Sequence, residues 1–172
     1  MTKIFSSYFS IILLAGILLA GCSKSDDQRR FEDQALVAPQ RITEMTANGR
    51  AIADKEDPDD WRISPMYRGL IDIETPAYPN PVALNSNLRI DLYITGLETI
   101  STLDVYAFEL PGRIYGPVDI LENLSSTTLV TINLNAAIVA NSSAGSQASG
   151  IYRILIYDGR QNLISYGDVR LQ

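Results

Sequence analysis

The side chains able to act as nucleophile, base or metal ligand are few and unevenly placed along the chain. There is no His and a single Cys, Cys22, which excludes Ser/His/Asp and Cys/His nucleophile systems, Cys-based zinc cages and internal disulfides together. Lys24 and Lys55 are the only lysines after Lys3, and both precede the strand-rich part, so a Ser/Lys dyad has no lysine to use there. No Gly-rich phosphate loop occurs. The densest acid cluster is Asp54, Glu56, Asp57, Asp59 and Asp60. Oxygen ligands so spaced could suit Ca²⁺, but the run lacks the turn Gly and the distal Glu of a calcium loop and reads as solvated linker. No metal is expected. Glycoside hydrolysis needs two carboxyls facing each other across a cleft, whereas Asp72, Glu74, Asp91, Asp104 and Glu109 read as outward or strand-end positions. Tyr93, Tyr106 and Tyr157, joined by Tyr152 and Tyr166, pair flat apolar area with a polar tip. They read either as an exposed aromatic face for a glycan or peptide or as sheet-filling residues of high β-propensity. The expectation is no catalytic residue, no cofactor and no enzyme. With 14 basic against 20 acidic side chains, net charge −6 and pI ≈ 4.6, nucleic acid is not an expected partner.

The N-terminus explains the lone thiol. Lys3 precedes an apolar run, densest over 11–20, that closes in Ala20-Gly21 before Cys22, which is the layout of a secretory signal peptide over 1–21. Ser6, Ser7 and Ser10 interrupt the run and polar sequence starts at Ser23, so it falls short of the roughly 20 apolar residues of a spanning helix. Leu19-Ala20-Gly21-Cys22 resembles the lipobox of bacterial lipoproteins. That resemblance implies cleavage between Gly21 and Cys22, a diacylglyceryl group on the Cys22 thiol, and location in the cell envelope of a Gram-negative bacterium. Each buried CH₂ is worth about 0.8 kcal/mol, and two or more chains give stable anchoring. Removal of 1–21 leaves 13 basic against 20 acidic side chains, so membrane attachment is expected to rest on lipid rather than on a polybasic patch. Ser23 resembles the residue choice that sends lipoproteins to the outer membrane. Ser23-Lys24-Ser25-Asp26-Asp27 also bears some likeness to surface-export tethers, and any polar linker looks similar.

Behind this leader the chain divides by composition. Residues 22–60 are crowded with charge and amide and are broken by Pro39 and Asn48-Gly49. They read as a largely disordered, lipidated tether with one short helix around Arg41 to Ala47, holding the folded part off the membrane. Residues 61–172 follow strand rules. Leu88, Ile90, Leu92 and Ile94 alternate with Arg89, Asp91, Tyr93 and Thr95, which predicts a half-buried strand. Val130, Ile132 and Leu134, and Leu103 and Val105, repeat the pattern. Ile151 to Asp158 is apolar at nearly every position and is expected to lie centrally. The Asp158 to Asn162 turn then leads into Leu163 to Leu171 as a terminal hairpin. With Gly69 to Thr75 and Ile114 to Ile120, about seven strands are expected in an all-β sandwich. Ala136 to Gly150 reads as a loop, and Trp61 as a pin fixing the tether to the sandwich.

Tyr78-Pro79-Asn80-Pro81-Val82, the strand Leu88 to Thr95, Leu103 to Tyr106 with Gly112-Arg113, and Ser149 to Tyr152 occur in an order similar to Tyr-Pro-Asn-Pro immunoglobulin-like domains. Such domains serve as type IX secretion sorting domains or occur in flagellar hook-capping proteins. The likeness implies an immunoglobulin-like sandwich over about 76–172. The expected function is a lipid-anchored, non-enzymatic envelope module, structural or interaction accessory, with an envelope protein or glycan as possible partner. A sorting-like domain and a surface carbohydrate-binding module are the alternatives.

Overall fold

The computed structural model describes residues 24–96, 100–109, 112–124, 128–141 and 148–172. The expected signal peptide over 1–21, the expected Gly21/Cys22 cleavage position and Cys22 itself lie outside them.

The chain forms a two-sheet sandwich in which every strand pair is antiparallel. Helix α1 (Asp26–Gln34) comes first, followed by β1 (Arg62–Ile63), a 3₁₀ turn (Pro65–Tyr67), β2 (Ile71–Tyr78), β3 (Asn87–Ile94), β4 (Thr102–Glu109), β5 (Arg113–Glu122), β6 (Thr128–Asn135), a one-turn helix α2 (Ala136–Val139), β7 (Gly150–Asp158) and β8 (Leu163–Leu171). One sheet has the order β1-β8-β7-β4-β5 and the other β2-β3-β6. Setting aside two-residue β1, the seven longer strands follow a Greek-key course of the immunoglobulin-like type, with β5 paired to β4.

Alternation along the strands produces the core directly. Leu88, Ile90, Leu92 and Ile94 of β3 are fully buried and face Leu103 and Val105 of β4 and Ile154 and Ile156 of β7 across the sandwich. Their alternates Arg89, Asp91 and Tyr93 point away from the core, as expected. β7 lies between β4 and β8, which accounts for its near-continuous apolar run. The 158–162 turn is tied by the Asp158 carboxylate, which accepts from the backbone N–H groups of Arg160 (2.9 Å) and Asn162 (2.7 Å). Trp61 does pin the N-terminal segment, since its ring lies over Gly167, where any Cβ would come within 2.1 Å of it.

Two expectations are corrected. Residues 24–60 are not a disordered tether. Helix α1 lies on the outer face of the five-stranded sheet, where Phe31 and Ala35 join Phe108, Leu155, Leu163 and Tyr166 in a second apolar cluster. Ile42, Thr43 and Met45 are buried as well. Polar bonds compensate for the scarcity of apolar residues in this stretch. The helix falls at 26–34 rather than 41–47. In the latter segment, Met45 instead exchanges backbone hydrogen bonds with Asn80 (2.7 and 3.0 Å). The seven strands expected are present among the described residues, and two-residue Arg62–Ile63 adds a short one to the edge of β8.

Candidate functional site

Helix α1 begins where Ser25 Oγ accepts from the Gln28 N–H (3.2 Å), with Asp26 and Asp27 in the first turn and no basic residue in the last. Acids at the N-terminus suit the helix dipole, but the C-terminal carbonyls need a cation from elsewhere. The sandwich supplies it through Arg153 on the outer face of β7. Its Nη1 donates to the carbonyls of Gln34 (3.3 Å), Ala35 (2.8 Å) and Val37 (2.6 Å). The rest of the guanidinium meets Asp168 of β8 in a bidentate pair, Nε to Oδ1 at 3.0 Å and Nη2 to Oδ2 at 2.7 Å. Both side chains are 4% exposed. Arg153 also stacks over the Tyr166 ring (4.9 Å), against which Phe31 packs (5.0 Å).

Asp60 completes this cluster. Its Oδ1 accepts from the Asp168 N–H (2.8 Å) and its Oδ2 from the Thr43 N–H (2.9 Å). Burial pushes its carboxyl up to about 7, the Asp168 charge adds to the rise, and the two N–H donors oppose it. Burial also raises Asp168 above its ordinary value, against the pull of Arg153. The expectation that the whole 54–60 acid run is solvated therefore fails at Asp60. A cleft of about 370 Å³ opens beside the cluster, walled by Gln34, Pro39, Arg41, Asp57, Arg62 and Tyr166 among others.

A second peg lies in the Tyr-Pro-Asn-Pro stretch. Asn80 is fully buried. Its Nδ2 donates to the carbonyls of Thr43 (2.7 Å) and Asp168 (2.9 Å), and its Oδ1 accepts from the Arg170 N–H (2.9 Å). One side chain thus joins the N-terminal segment to β8.

Of the three tyrosines read as an aromatic face, Tyr106 and Tyr157 are brought together and Tyr93 is not. Tyr93 projects from the outer face of β3 in the three-stranded sheet, beside Leu129 of β6. Tyr106 and Tyr157 lie on the outer face of the other sheet, packed edge to face at 5.5 Å and half-buried against the α1 cluster. Tyr152 is in the core. The outward acids stay outward. Asp91 is engaged by the hydroxyls of Tyr78 (2.7 Å) and Thr131 (2.6 Å). Among the described residues, no group of three or more Asp, Glu, His or Cys is arranged to hold a metal ion, and no helix is long and apolar enough to cross a membrane.

What the cluster can do chemically follows from its hydrogen bonds. A carboxyl titrating near neutrality beside a cleft is a general-acid candidate on pKa alone. Here, however, both Asp60 oxygens hold backbone N–H groups, and Arg153 directs its donors at Asp168 and three carbonyls. The arrangement is a clamp that fastens residues 24–60 to β7 and β8. Sequence reasoning took Asp60 for solvated linker and Asn80 for part of a motif, and it missed Arg153 and Asp168. The available signal was a charged residue inside each of two apolar strands, which demands a partner when buried.

Fold and clamp together define the class: an all-β, two-sheet sandwich carrying an N-terminal helix and strap on one face. No family model matches the chain, and no curated protein matches it. Among solved structures, a mutant (D270A) β-glucosidase from Listeria innocua in complex with laminaribiose is similar over 59% of this chain and 16% of its own, at 13% identity and TM-score 0.40. The chain thus corresponds to a small part of that enzyme's length.

Proposed function

We propose that the protein is a lipid-anchored, non-enzymatic module of the bacterial cell envelope, held to the outer membrane through Cys22 and working through its surfaces as a structural or interaction accessory. The observation that supports this reading best is the clamp. The most buried ionic groups outside the core hold the segment that follows the lipobox-like Leu19-Ala20-Gly21-Cys22 onto the sandwich. Anchor and domain would then form one mechanical unit, suited to presenting a rigid surface at a membrane. Tyr93 lies on one sheet and Tyr106 and Tyr157 on the other, which favours the accessory reading over a single three-tyrosine glycan platform. The test is fractionation of cells expressing wild type and Cys22→Ser. Wild type is expected in the membrane fraction, and the variant is expected as unprocessed precursor without incorporated palmitate. Equal processing and equal membrane association of the two would contradict the proposal.

A further inference from the structure

A lipid on Cys22 would be attached to a domain with almost no slack, and this fixes which end of the sandwich meets the bilayer. The first described residues are tied down at once. Lys24 Nζ pairs with Glu32 (2.7 Å), Ser25 caps α1, and fully buried Gln28 donates from Nε2 to the Leu163 carbonyl (3.1 Å) while its Oε1 accepts from the Met66 N–H (3.3 Å). The start of α1 is therefore fastened beside the 158–162 turn, and the helix runs from there toward Arg153. Two residue steps separate Cys22 from Lys24, and a chain spans at most about 3.6 Å per residue. The lipidated residue would then lie within about 7 Å of Lys24, roughly the depth of one headgroup layer.

The surface at that end has the chemistry of a membrane interface. Met66 is 43% exposed and lines a cleft with Arg160. Arg68 lines the neighbouring cleft with Arg62 and with Arg30, the last of these paired to Asp27. Neither Arg68 nor Arg160 has an ion-pair partner among the described residues, so both guanidinium groups can meet phosphate oxygens at an anionic surface. At the opposite end, roughly 25–30 Å away along strands of eight or nine residues, lie the 79–84 connection and α2, where Ile138 is 55% exposed.

Resting on the anchor reading above, we propose that the lipid holds the sandwich end-on against the bilayer. The 65–68 segment and the 158–162 turn sit in the headgroup layer, and the 79–84 connection and α2 point away as the partner-facing end. The occupant of the Met66 end is thus a phospholipid surface rather than another protein. This reverses the picture of a tether that holds the domain off the membrane.

The test uses the lipidated protein purified from membranes, its Cys22 thiol blocked as the diacylglyceryl thioether, so that Met66→Cys or Ile138→Cys carries the only free thiol for a nitroxide. In vesicles of phosphatidylethanolamine and phosphatidylglycerol, the label at 66 is expected to lose at least threefold in collision rate with a water-soluble nickel complex relative to the same protein in mild detergent. The label at 138 is expected to keep its rate. A twelve-residue Gly/Ser insertion between Ser23 and Lys24 is expected to restore access at 66. Equal access at both sites without the insertion, or protection at 66 that survives it, overturns the short leash. Intact mass of the same sample separates the two failures. A Cys22 without acyl chains overturns the anchor reading and this inference with it, whereas an acylated Cys22 with equal access overturns the orientation alone.

Discussion

Replacing Arg153 with Met tests the clamp at its centre. The change keeps an apolar stem of similar length over Tyr166 but removes the two bonds to Asp168 and the three to the carbonyls of Gln34, Ala35 and Val37. Asp168, 4% exposed and close to Asp60, is left as a buried acid without its cation. Breaking a buried ion pair from one side costs about 3–5 kcal/mol, most of it the penalty of the orphaned charge. The three carbonyls add up to about 1–3 kcal/mol if water fails to replace the guanidinium. A total of about 3–8 kcal/mol is a large share of the 5–15 kcal/mol that holds a typical domain together. The loss has a location as well as a size. Urea unfolding followed by Trp61, the only tryptophan, gives the global value. Hydrogen exchange over 26–37 reports release of α1, and trypsin cleavage at exposed Arg29 and Arg30 reports the same release. Arg153→Met is expected to lose the exchange protection of α1 before that of β3 and β6. A global change below about 1 kcal/mol, with α1 protection intact, would refute the clamp.

Other outcomes follow from the same geometry. Asp60 has a folded-state value of about 7 against 3.8, so its contribution to stability is fully present below about pH 4 and is lost as pH rises through 7. At about 1.4 kcal/mol per pH unit this amounts to at most about 4 kcal/mol. Urea midpoints of wild type are expected to fall across that window, and those of Asp60→Asn to fall less; parallel curves would contradict the assignment. Gly167→Ala places a Cβ 2.1 Å from the Trp61 ring and is expected to expel it, seen as a red shift of Trp emission and a loss of about 2–4 kcal/mol; unchanged emission would show that the ring packs elsewhere. Asn80→Ala strips partners from Thr43, Asp168 and Arg170 and is expected to cost about 3 kcal/mol by calorimetric melting, whereas a loss under 1 kcal/mol would show the peg to be dispensable.

The strands were legible because half-buried sheets impose a period of two, and Leu88 to Ile94 and Val130 to Leu134 obey it without exception. The terminal hairpin was legible from Asp158-Gly159 and the apolar runs around it. The N-terminal strap was not, because its attachment is mostly polar. Helix α1 buries a stripe of only Gln28, Phe31 and Ala35, too thin for a hydrophobic period. What the sequence did contain was Ser25 with Gln28 three residues later and acids between them, the pattern of a helix start. Asn80 was hidden differently. Its prolines drew attention to chain geometry, while the amide that bonds three backbone groups belongs to contacts 37 and 88 residues distant. The acid run misled because five carboxylates within seven residues look solvated, and only tertiary packing singles out Asp60.

The central claim is most directly tested by the intact mass of the protein extracted from the membrane fraction of its native host. The account predicts residues 22–172 plus at least two acyl chains, with Gln172 present. A mass without acyl chains, or one lacking the last hundred or so residues as removal of a sorting domain would leave, would contradict it.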